Sequence, residues 1–194
     1  VSLGTFNLKI PGTHNVLNAT AAIALANEEN IPVEIIQKAV ASFEGVRRRF
    51  ELIGETKSGA LIYDDYAHHP TEVAATLQGF RETFPNRRLI VAFQPHLFTR
   101  TRDHYESFGS VFSNCDELLV CDIYPAREAP IEGVTGELVS KSAQERGHRD
   151  ARFVGAKENV LSTLQGELSD KDLVVLMGAG NITQLGRELL EGDF

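Results

Sequence analysis

Two aspartates and two histidines are concentrated in the segment Asp64-Asp65-Tyr66-Ala67-His68-His69-Pro70-Thr71-Glu72. The segment follows a predicted strand and begins a predicted helix, which is where open α/β sheets bind ligands. These side chains could ligate a metal, or the carboxylates could accept ribose hydroxyls while a histidine contacts a substrate. The alternative is a helix start favoured by Thr71 and Glu72, with exposed histidines. The residues alone leave both interpretations open.

A second polar loop, Gln94-Pro95-His96-Leu97-Phe98-Thr99-Arg100, also comes directly after a predicted strand. Arginine presents a planar fork of donors that matches a carboxylate, so His96 and Arg100 are candidates for holding a small carboxylate. The alternative is a surface loop whose arginine is solvated. Two histidine-bearing loops at the ends of successive strands favour the binding interpretation of both.

A third candidate, Gly12-Thr13-His14-Asn15-Val16-Leu17-Asn18, begins an alanine-rich helix. A helix N-terminus favours the neutral imidazole of His14, the form that binds metals. Asn15 and Asn18 are three residues apart and share roughly one helix face. Their amides can donate and accept together, as adenine recognition requires. The alternative is an ordinary helix start capped by Thr13.

Two further patterns carry little functional information. Gly178-Ala179-Gly180-Asn181 lacks the third glycine of a dinucleotide-binding fingerprint and is adequately explained as a tight turn. Neither a GxxxxGK[ST] phosphate loop nor a GxSxG nucleophile elbow occurs in the sequence.

Composition excludes several classes of protein. The 194 residues carry a net charge of −8, and all the excess acid lies after residue 100, which argues against a nucleic-acid surface. The local run Arg47-Arg48-Arg49 still permits an anion site. The apolar runs at 89–93 and 173–177 are far shorter than the roughly 20 residues that span a bilayer. Because Val1-Ser2-Leu3-Gly4 does not resemble a signal peptide, we expect a cytoplasmic protein in which Cys115 and Cys121 stay reduced.

From about residue 59, apolar strands alternate with amphipathic helices. Continuously apolar strands separated by helices predict a parallel sheet covered on both faces. We therefore predict a doubly wound, Rossmann-like α/β domain with a mostly parallel sheet. The predicted strands are residues 60–63, 89–93, 117–121, 151–154 and 173–177.

The first 44 residues have a different pattern, which predicts a strand at residues 5–10 and helices near 15–29 and 36–43. The first helix is apolar almost all round, so it needs more partners than this segment provides. We accordingly expect the chain to be the C-terminal part of a longer protein, with one incomplete domain at residues 1–44 and a second at 45–194.

Taken together, an ordered set of motifs resembles the Mur ligases, and within them the members that add L-alanine to UDP-N-acetylmuramate. The set comprises His14-Asn15-Val16-Leu17-Asn18-Ala19, Gly45-Val46-Arg47-Arg48-Arg49-Phe50-Glu51, the segment from Asp64 to Glu72, Gln94-Pro95-His96, Thr99-Arg100-Thr101, Asp122-Ile123-Tyr124-Pro125-Ala126 and Met177-Gly178-Ala179-Gly180.

The resemblance implies a bacterial three-domain enzyme of peptidoglycan synthesis that uses ATP and Mg²⁺. This chain would hold the end of the central ATPase domain and the whole C-terminal domain, and would be inactive alone without the UDP-binding domain and the phosphate loop. The family reaction phosphorylates the muramyl carboxylate, and the amine of alanine then attacks the acyl phosphate. No nucleic acid or membrane partner is implied.

The resemblance also implies roles for individual residues. His14 resembles a ligand of a metal that bridges the ATP phosphates. The residues that resemble nucleotide contacts are Asn15 and Asn18 for adenine, Arg49 facing the nucleotide from between the domains, and Asp65 for ribose. The residues that match the amino-acid pocket are Tyr66, His68, His96 and Arg100, with Arg100 as the partner of the alanine carboxylate and the small Ala67 beside them.

Two positions depart from the family pattern. Leu97 stands where many relatives carry a second arginine, and Asn181 stands where an aspartate is common. Three alternatives remain: a murein tripeptide ligase of the same superfamily, a metal-dependent hydrolase using Asp64, Asp65, His68 and His69, and a noncatalytic nucleotide-binding module. The loop from Gln94 to Thr101 favours the alanine-adding enzyme over the tripeptide ligase.

Overall fold

A computed structural model describes residues 2–10 and 12–192 of the protein, without the side chain of His14. Its strands are β1 Glu51–Glu55, β2 Leu61–Asp65, β3 Arg88–Phe93, β4 Glu117–Cys121, β5 Ala151–Gly155 and β6 Asp172–Met177. Its α-helices are α1 Thr13–Glu28, α2 Val33–Ser42, α3 Pro70–Thr83, α4 Phe98–Val111, α5 Glu137–Glu145, α6 Asn159–Leu164 and α7 Leu185–Glu191. Short 3₁₀ turns at Phe112–Asn114 and Ile182–Gln184 follow α4 and precede α7.

The six strands form one sheet in the order β1-β2-β6-β3-β4-β5, in which only β1 is antiparallel to its neighbour. Alternation along each strand sends side chains to two separate cores. In β3, Val91 and Phe93 join the core under α3, α4 and α5, whereas Ile90 and Ala92 join the core under α6 and α7. The predicted doubly wound, mostly parallel sheet is confirmed.

Helix α3 shows how the sequence places a functional loop. His69 caps the helix, Pro70 occupies the first turn, and the helix stops at Phe84, just before Pro85. Proline suits a first turn because it lacks an N–H, and it disfavours a helical residue before it. The apolar face of α3 packs on the sheet, which fixes where the preceding loop must lie. The buried apolar residues of that face are Val73, Leu77 and Phe80.

One sequence prediction for secondary structure is wrong, and one strand was missed. The strand predicted at residues 5–10 does not form, because an extended segment needs a paired neighbour for its N–H and C=O groups and none of the described ladders includes it. Strand β1 was not predicted; it is a five-residue edge strand with a bulge between Leu52 and Gly54, which breaks its alternation.

Helix α1 is the helix that the sequence shows to be apolar almost all round. Leu17 is 66% exposed and Leu25 is 65% exposed, so the described residues leave much of this helix uncovered. The prediction that the first 44 residues cannot bury α1 is confirmed. The domain boundary at residue 44 stays a prediction.

The parallel strands bring their carboxyl ends to one edge of the sheet. Because β6 lies between β2 and β3, the polar segments that follow β2, β3 and β6 become neighbours. The loop after β4 joins them through a parallel bridge between His96 and Tyr124.

Candidate functional site

The two histidine-bearing loops meet at the carboxyl edge of the sheet. The ring centroids of His68 and His96 lie 5.8 Å apart, and the ring of Tyr66 lies 5.1 Å from His68. The ring of Tyr124, from the loop after β4, stacks on His96 at 5.7 Å. These four residues and Arg100 are called the histidine cluster below. The cluster includes every residue predicted for the amino-acid pocket, namely Tyr66, His68, His96 and Arg100.

His96 precedes α4 and interacts directly with Arg100 in the first turn of that helix. Nη1 of Arg100 lies 3.2 Å from Nδ1 of His96. Because a guanidinium can only donate, Nδ1 accepts and the ring hydrogen of neutral His96 lies on Nε2. Burial lowers the pKa of His96, and the charges of Arg100 and His68 lower it further. His96 is therefore neutral at pH 7, and the other donors of Arg100 stay available for an anion.

The start of α4 is fixed by Glu128. The backbone N–H of Thr99 donates to Oε2 of Glu128 at 3.0 Å, and the Thr99 hydroxyl donates to Oε1. These hydrogen bonds lower the pKa of Glu128, so it remains ionised. Leu97, at the departure from the family pattern, is the residue before α4 and has φ of 73°. Glu128 thus holds the helix turn that carries Arg100.

His68 is oriented by two acceptors. Its Nδ1 lies 2.9 Å from the carbonyl oxygen of Tyr66 and 3.3 Å from Oε2 of Glu72. Since both partners are acceptors, Nδ1 carries a hydrogen, and in the neutral form of the ring the lone pair lies on Nε2. The helix-start interpretation of this segment also holds, because His69 caps α3 and Glu72 accepts from the backbone N–H groups of His68 and His69.

Asp64 and Asp65 point to opposite faces of the sheet, as consecutive strand residues must. Oδ2 of Asp64 accepts from Thr183 at 2.8 Å and from Arg48 at 3.0 Å. Asp65 instead accepts from the N–H groups of Phe50 and Ala67 at 2.9 and 2.8 Å. Burial raises the pKa of both carboxyls against these hydrogen bonds.

This divergence removes the basis of the metal-dependent hydrolase. The four residues proposed for it do not converge, and His69 is committed to capping α3. Within the described part of the chain, no group of three or more His, Cys, Asp or Glu residues could hold a metal ion. The predicted metal ligand His14 lies outside the described side chains.

A cavity of about 830 Å³ lies between α1, α2 and the start of the α/β domain. It is lined by all four residues predicted to contact the nucleotide, namely Asn15, Asn18, Arg49 and Asp65. Aliphatic and aromatic side chains form much of the remaining wall, including Leu8, Ile10, Val40, Phe43 and Val46. A cavity of this size, apolar with a few polar groups, fits a nucleotide.

The cavity and the histidine cluster adjoin at Glu72. This residue lines the cavity, and its Oε2 accepts from the backbone of His68. Its Oε1 lies 3.9 Å from Nη2 of Arg49, whose guanidinium carbon is 5.6 Å from the ring centroid of Tyr66. Glu72 and Arg49 therefore line the cavity and also contact residues of the histidine cluster.

The glycine turn after β6 packs closely against Gln94 and Tyr124. The side chain of buried Gln94 donates to Asn181 at 3.0 Å and accepts from the N–H of Ile182 at 3.1 Å. A Cβ on Gly180 would lie 2.3 Å from Oε1 of Gln94 and 2.7 Å from Cγ of Tyr124. The tight-turn interpretation is supported, and Asn181 serves to hold Gln94.

Sequence reasoning missed the parts played by Arg48, Tyr124 and Glu128. Tyr124 and Glu128 come from an irregular loop whose fold the sequence pattern does not predict. Arg48 lies in a run of three arginines, and nothing in the sequence separates its role from those of its neighbours. Its φ of 59° and its contacts with Asp64 and Tyr66 become visible only in three dimensions.

The sequence of this chain is similar to those of known proteins. A family model described as "Mur ligase, glutamate ligase domain" matches residues 48–180. A UDP-N-acetylmuramate–L-alanine ligase of Geobacter sp. strain M21 is 45% identical over 190 residues, which is 98% of this chain and 41% of that protein. The corresponding ligase of Myxococcus xanthus is 46% identical over 190 residues, covering 98% and 40%. The chain thus spans about two fifths of the length of these curated relatives.

Solved structures agree with the sequence comparison. A UDP-N-acetylmuramate–alanine ligase from Thermotoga maritima superposes with a TM-score of 0.80 at 30% identity, over 96% of this chain and 39% of that one. A murein peptide ligase from Psychrobacter arcticus gives 0.69 at 25% identity, over 95% and 38%. In the described part of the chain, no helix is both long and apolar enough to cross a bilayer.

Proposed function

We propose, on the premise that this chain belongs to the Mur ligase family, that it is the C-terminal part of an ATP-dependent ligase joining L-alanine to UDP-N-acetylmuramate. One observation carries the proposal: the histidine cluster and the nucleotide-sized cavity adjoin at Glu72, with Arg100 available for a carboxylate. The reaction would belong to bacterial peptidoglycan synthesis in the cytoplasm. UDP-binding and ATPase domains outside this chain would complete the enzyme.

The amino acid would be held by complementary charge. The guanidinium of Arg100 pairs with the alanine carboxylate in a two-pronged contact, while neutral His96 keeps the guanidinium aimed. Tyr66 and His68 would flank the amine end. The side chain of Ala67 is fully buried in the core under α3, α4 and α5, so the expectation that it lies beside the substrate is wrong. This arrangement converts the encounter of amine and acyl group into a positioned, intramolecular-like reaction.

The chemical step would need a base. Activation by ATP, a co-substrate, would supply an acyl phosphate; the amine nitrogen attacks its carbonyl carbon, and the bond to the phosphate oxygen breaks. A C–N bond forms, phosphate leaves, and the amine loses a proton. In its neutral form, His68 would accept that proton at Nε2, because Nδ1 already carries a hydrogen that is directed at Tyr66 and Glu72.

The proposed nucleotide contacts divide along the cavity wall. Asn18, supported by Asn15, faces adenine, and Asp65 reaches the ribose. Arg49, in the segment between α2 and β1, faces the phosphates. Among the described residues, no group of three or more His, Cys, Asp or Glu side chains could hold Mg²⁺. His14 stays a proposed metal ligand.

The test compares this 194-residue chain with the longer protein in which it would occur. With ATP, UDP-N-acetylmuramate and L-alanine, we expect the longer protein to release phosphate and the 194-residue chain to release none. Turnover by the short chain alone would contradict the proposal. Replacing alanine with the murein tripeptide tests the alternative ligase, since preferential use of the tripeptide would favour it. A GxxxxGK[ST] sequence before residue 1 is also expected.

A further inference from the structure

Arg48 connects the linker between α2 and β1 to three parts of the site. Its Nε donates to Asp64 at 3.0 Å, at the end of β2. Its Nη2 donates to the carbonyl oxygen of Gly178 at 2.6 Å, at the end of β6. Its guanidinium carbon also lies 4.9 Å from the ring centroid of Tyr66. One side chain thus spans two strand ends and an aromatic ring of the histidine cluster.

The backbone of Arg48 is fixed as firmly as its side chain. Its N–H donates to Oε2 of Glu51 at 2.6 Å, and its carbonyl accepts from the N–H of Tyr66 at 2.7 Å. The residue has φ of 59°, in the left-handed region that arginine rarely adopts. Such a conformation persists where surrounding contacts over-determine it, and it often marks a functional position.

Asp64 explains why an arginine is needed here. Its side chain is fully buried, and its Oδ1 has no hydrogen-bond partner among the described residues. Burying a carboxylate is costly unless an opposite charge lies beside it. Arg48 supplies that charge and at the same time reaches Gly178, which a single ammonium cannot do in the same geometry.

The neighbouring arginines do not share this position. Arg49 lines the nucleotide cavity and contacts Glu72, whereas Arg47 is exposed. Arg47 therefore points to solvent, Arg48 to the end of the sheet and Arg49 to the cavity. Only Arg48 combines a hydrogen bond to the backbone of Tyr66 with hydrogen bonds to the ends of β2 and β6 among these three.

We infer that Arg48 is a positioning residue for amino-acid binding: it ties the linker to the sheet edge and holds the Tyr66 ring in place within the pocket. The inference rests on the proposed function, because it takes the histidine cluster to be the amino-acid site. Arg48 acts through Tyr66, while Arg49 acts on the nucleotide side.

The experiment measures steady-state kinetics of the longer ligase with each substrate varied in turn. Arg48→Met is expected to raise the KM for L-alanine about tenfold, the effect of losing one charge-assisted contact, and to change the KM for ATP less than about twofold. Arg48→Lys should give an intermediate KM, since it keeps the charge but cannot bridge two acceptors. Arg47→Met is the matched control and should leave all constants unchanged.

A double-mutant cycle distinguishes positioning from general damage. Tyr66→Ala alone should raise the KM for alanine, and adding Arg48→Met should then raise it little further, because the two residues act as one unit. Additive effects, or equal rises in KM for every substrate, would overturn the inference. So would a folded Arg48→Lys variant with the wild-type KM for alanine. Absence of alanine-dependent turnover in the unmodified longer protein would instead refute the proposed function.

Discussion

Replacing Arg100 with alanine tests the proposed carboxylate site most directly. One of the five N–H donors of the guanidinium is directed at Nδ1 of His96, and the pair needed for a two-pronged contact remains. The side chain is only partly buried, so its contact with a carboxylate should contribute about 1.5–3 kcal/mol. That range corresponds to a rise of about 10- to 150-fold in the KM for L-alanine.

The assay is phosphate release by the longer ligase, with alanine and ATP varied separately. We expect the KM for ATP to stay within about twofold, because Arg100 is not among the residues that line the nucleotide cavity. Equal rises in the two KM values would refute the carboxylate role. Arg102→Ala is a suitable control, since Arg102 is exposed on the same helix and pairs with its neighbour Asp103.

The pH dependence of the KM for L-alanine is a second test of the contact between Arg100 and the alanine carboxylate. Burial lowers the pKa of His96, with Arg100 and His68 acting in the same direction and Glu128 opposing them. The ring is therefore neutral at pH 7 and gains a proton only below the usual histidine range, where Nδ1 ceases to accept from Arg100. The KM for alanine should rise as the pH falls below the usual histidine pKa of about 6.5. A KM that falls with decreasing pH would contradict this reasoning.

Three further predictions concern the scaffold. Phe80→Ala should lower the free energy of unfolding by about 3–5 kcal/mol in urea titrations, because its buried ring stacks within an aromatic group, whereas partly exposed Phe153→Ala should cost under about 1 kcal/mol. Gly180→Ala should push Tyr124 off its stacking partner, destabilise the protein by about 1–3 kcal/mol and raise the KM for alanine; unchanged kinetics would contradict it. Burial opposes ionisation of Asp172, but hydrogen bonds from Arg88 and Ser169 lower its pKa overall. The ionised carboxylate therefore stabilises the folded state, and this contribution is lost as the pH falls below about 4. In Asp172→Asn, the midpoint of urea unfolding should decrease less steeply with falling pH than in the unmodified protein.

The sequence predicted the elements of the α/β domain well because its strands are short, apolar and buried on both sides. The short apolar runs at 117–121 and 173–177, each between two helices, predict buried strands, and both form strands in the structure. It failed where pairing or packing decides the outcome. Residues 5–10 alternate like a strand but lack a partner in the described structure, whereas β1 has a weak pattern and is made by pairing with β2.

The candidate site shows the same division. Motif spacing identified His68, His96 and Arg100, and the structure places them together. Motif spacing did not indicate that the side chains of Asp64 and Asp65 diverge, although consecutive residues of a strand must point to opposite faces of the sheet. The two carboxylates are neighbours in sequence, and the sheet separates them.

The sequence by itself determined which residue types could bind a carboxylate and a nucleotide, and that these residues follow strands. Their relation in space was decided only by tertiary structure. Inserting β6 between β2 and β3 gathers loops from distant parts of the chain at one edge, and it sets Gly178 within reach of Arg48. Strand order arises from long-range packing and hydrogen bonding, which local patterns of polarity and propensity do not encode.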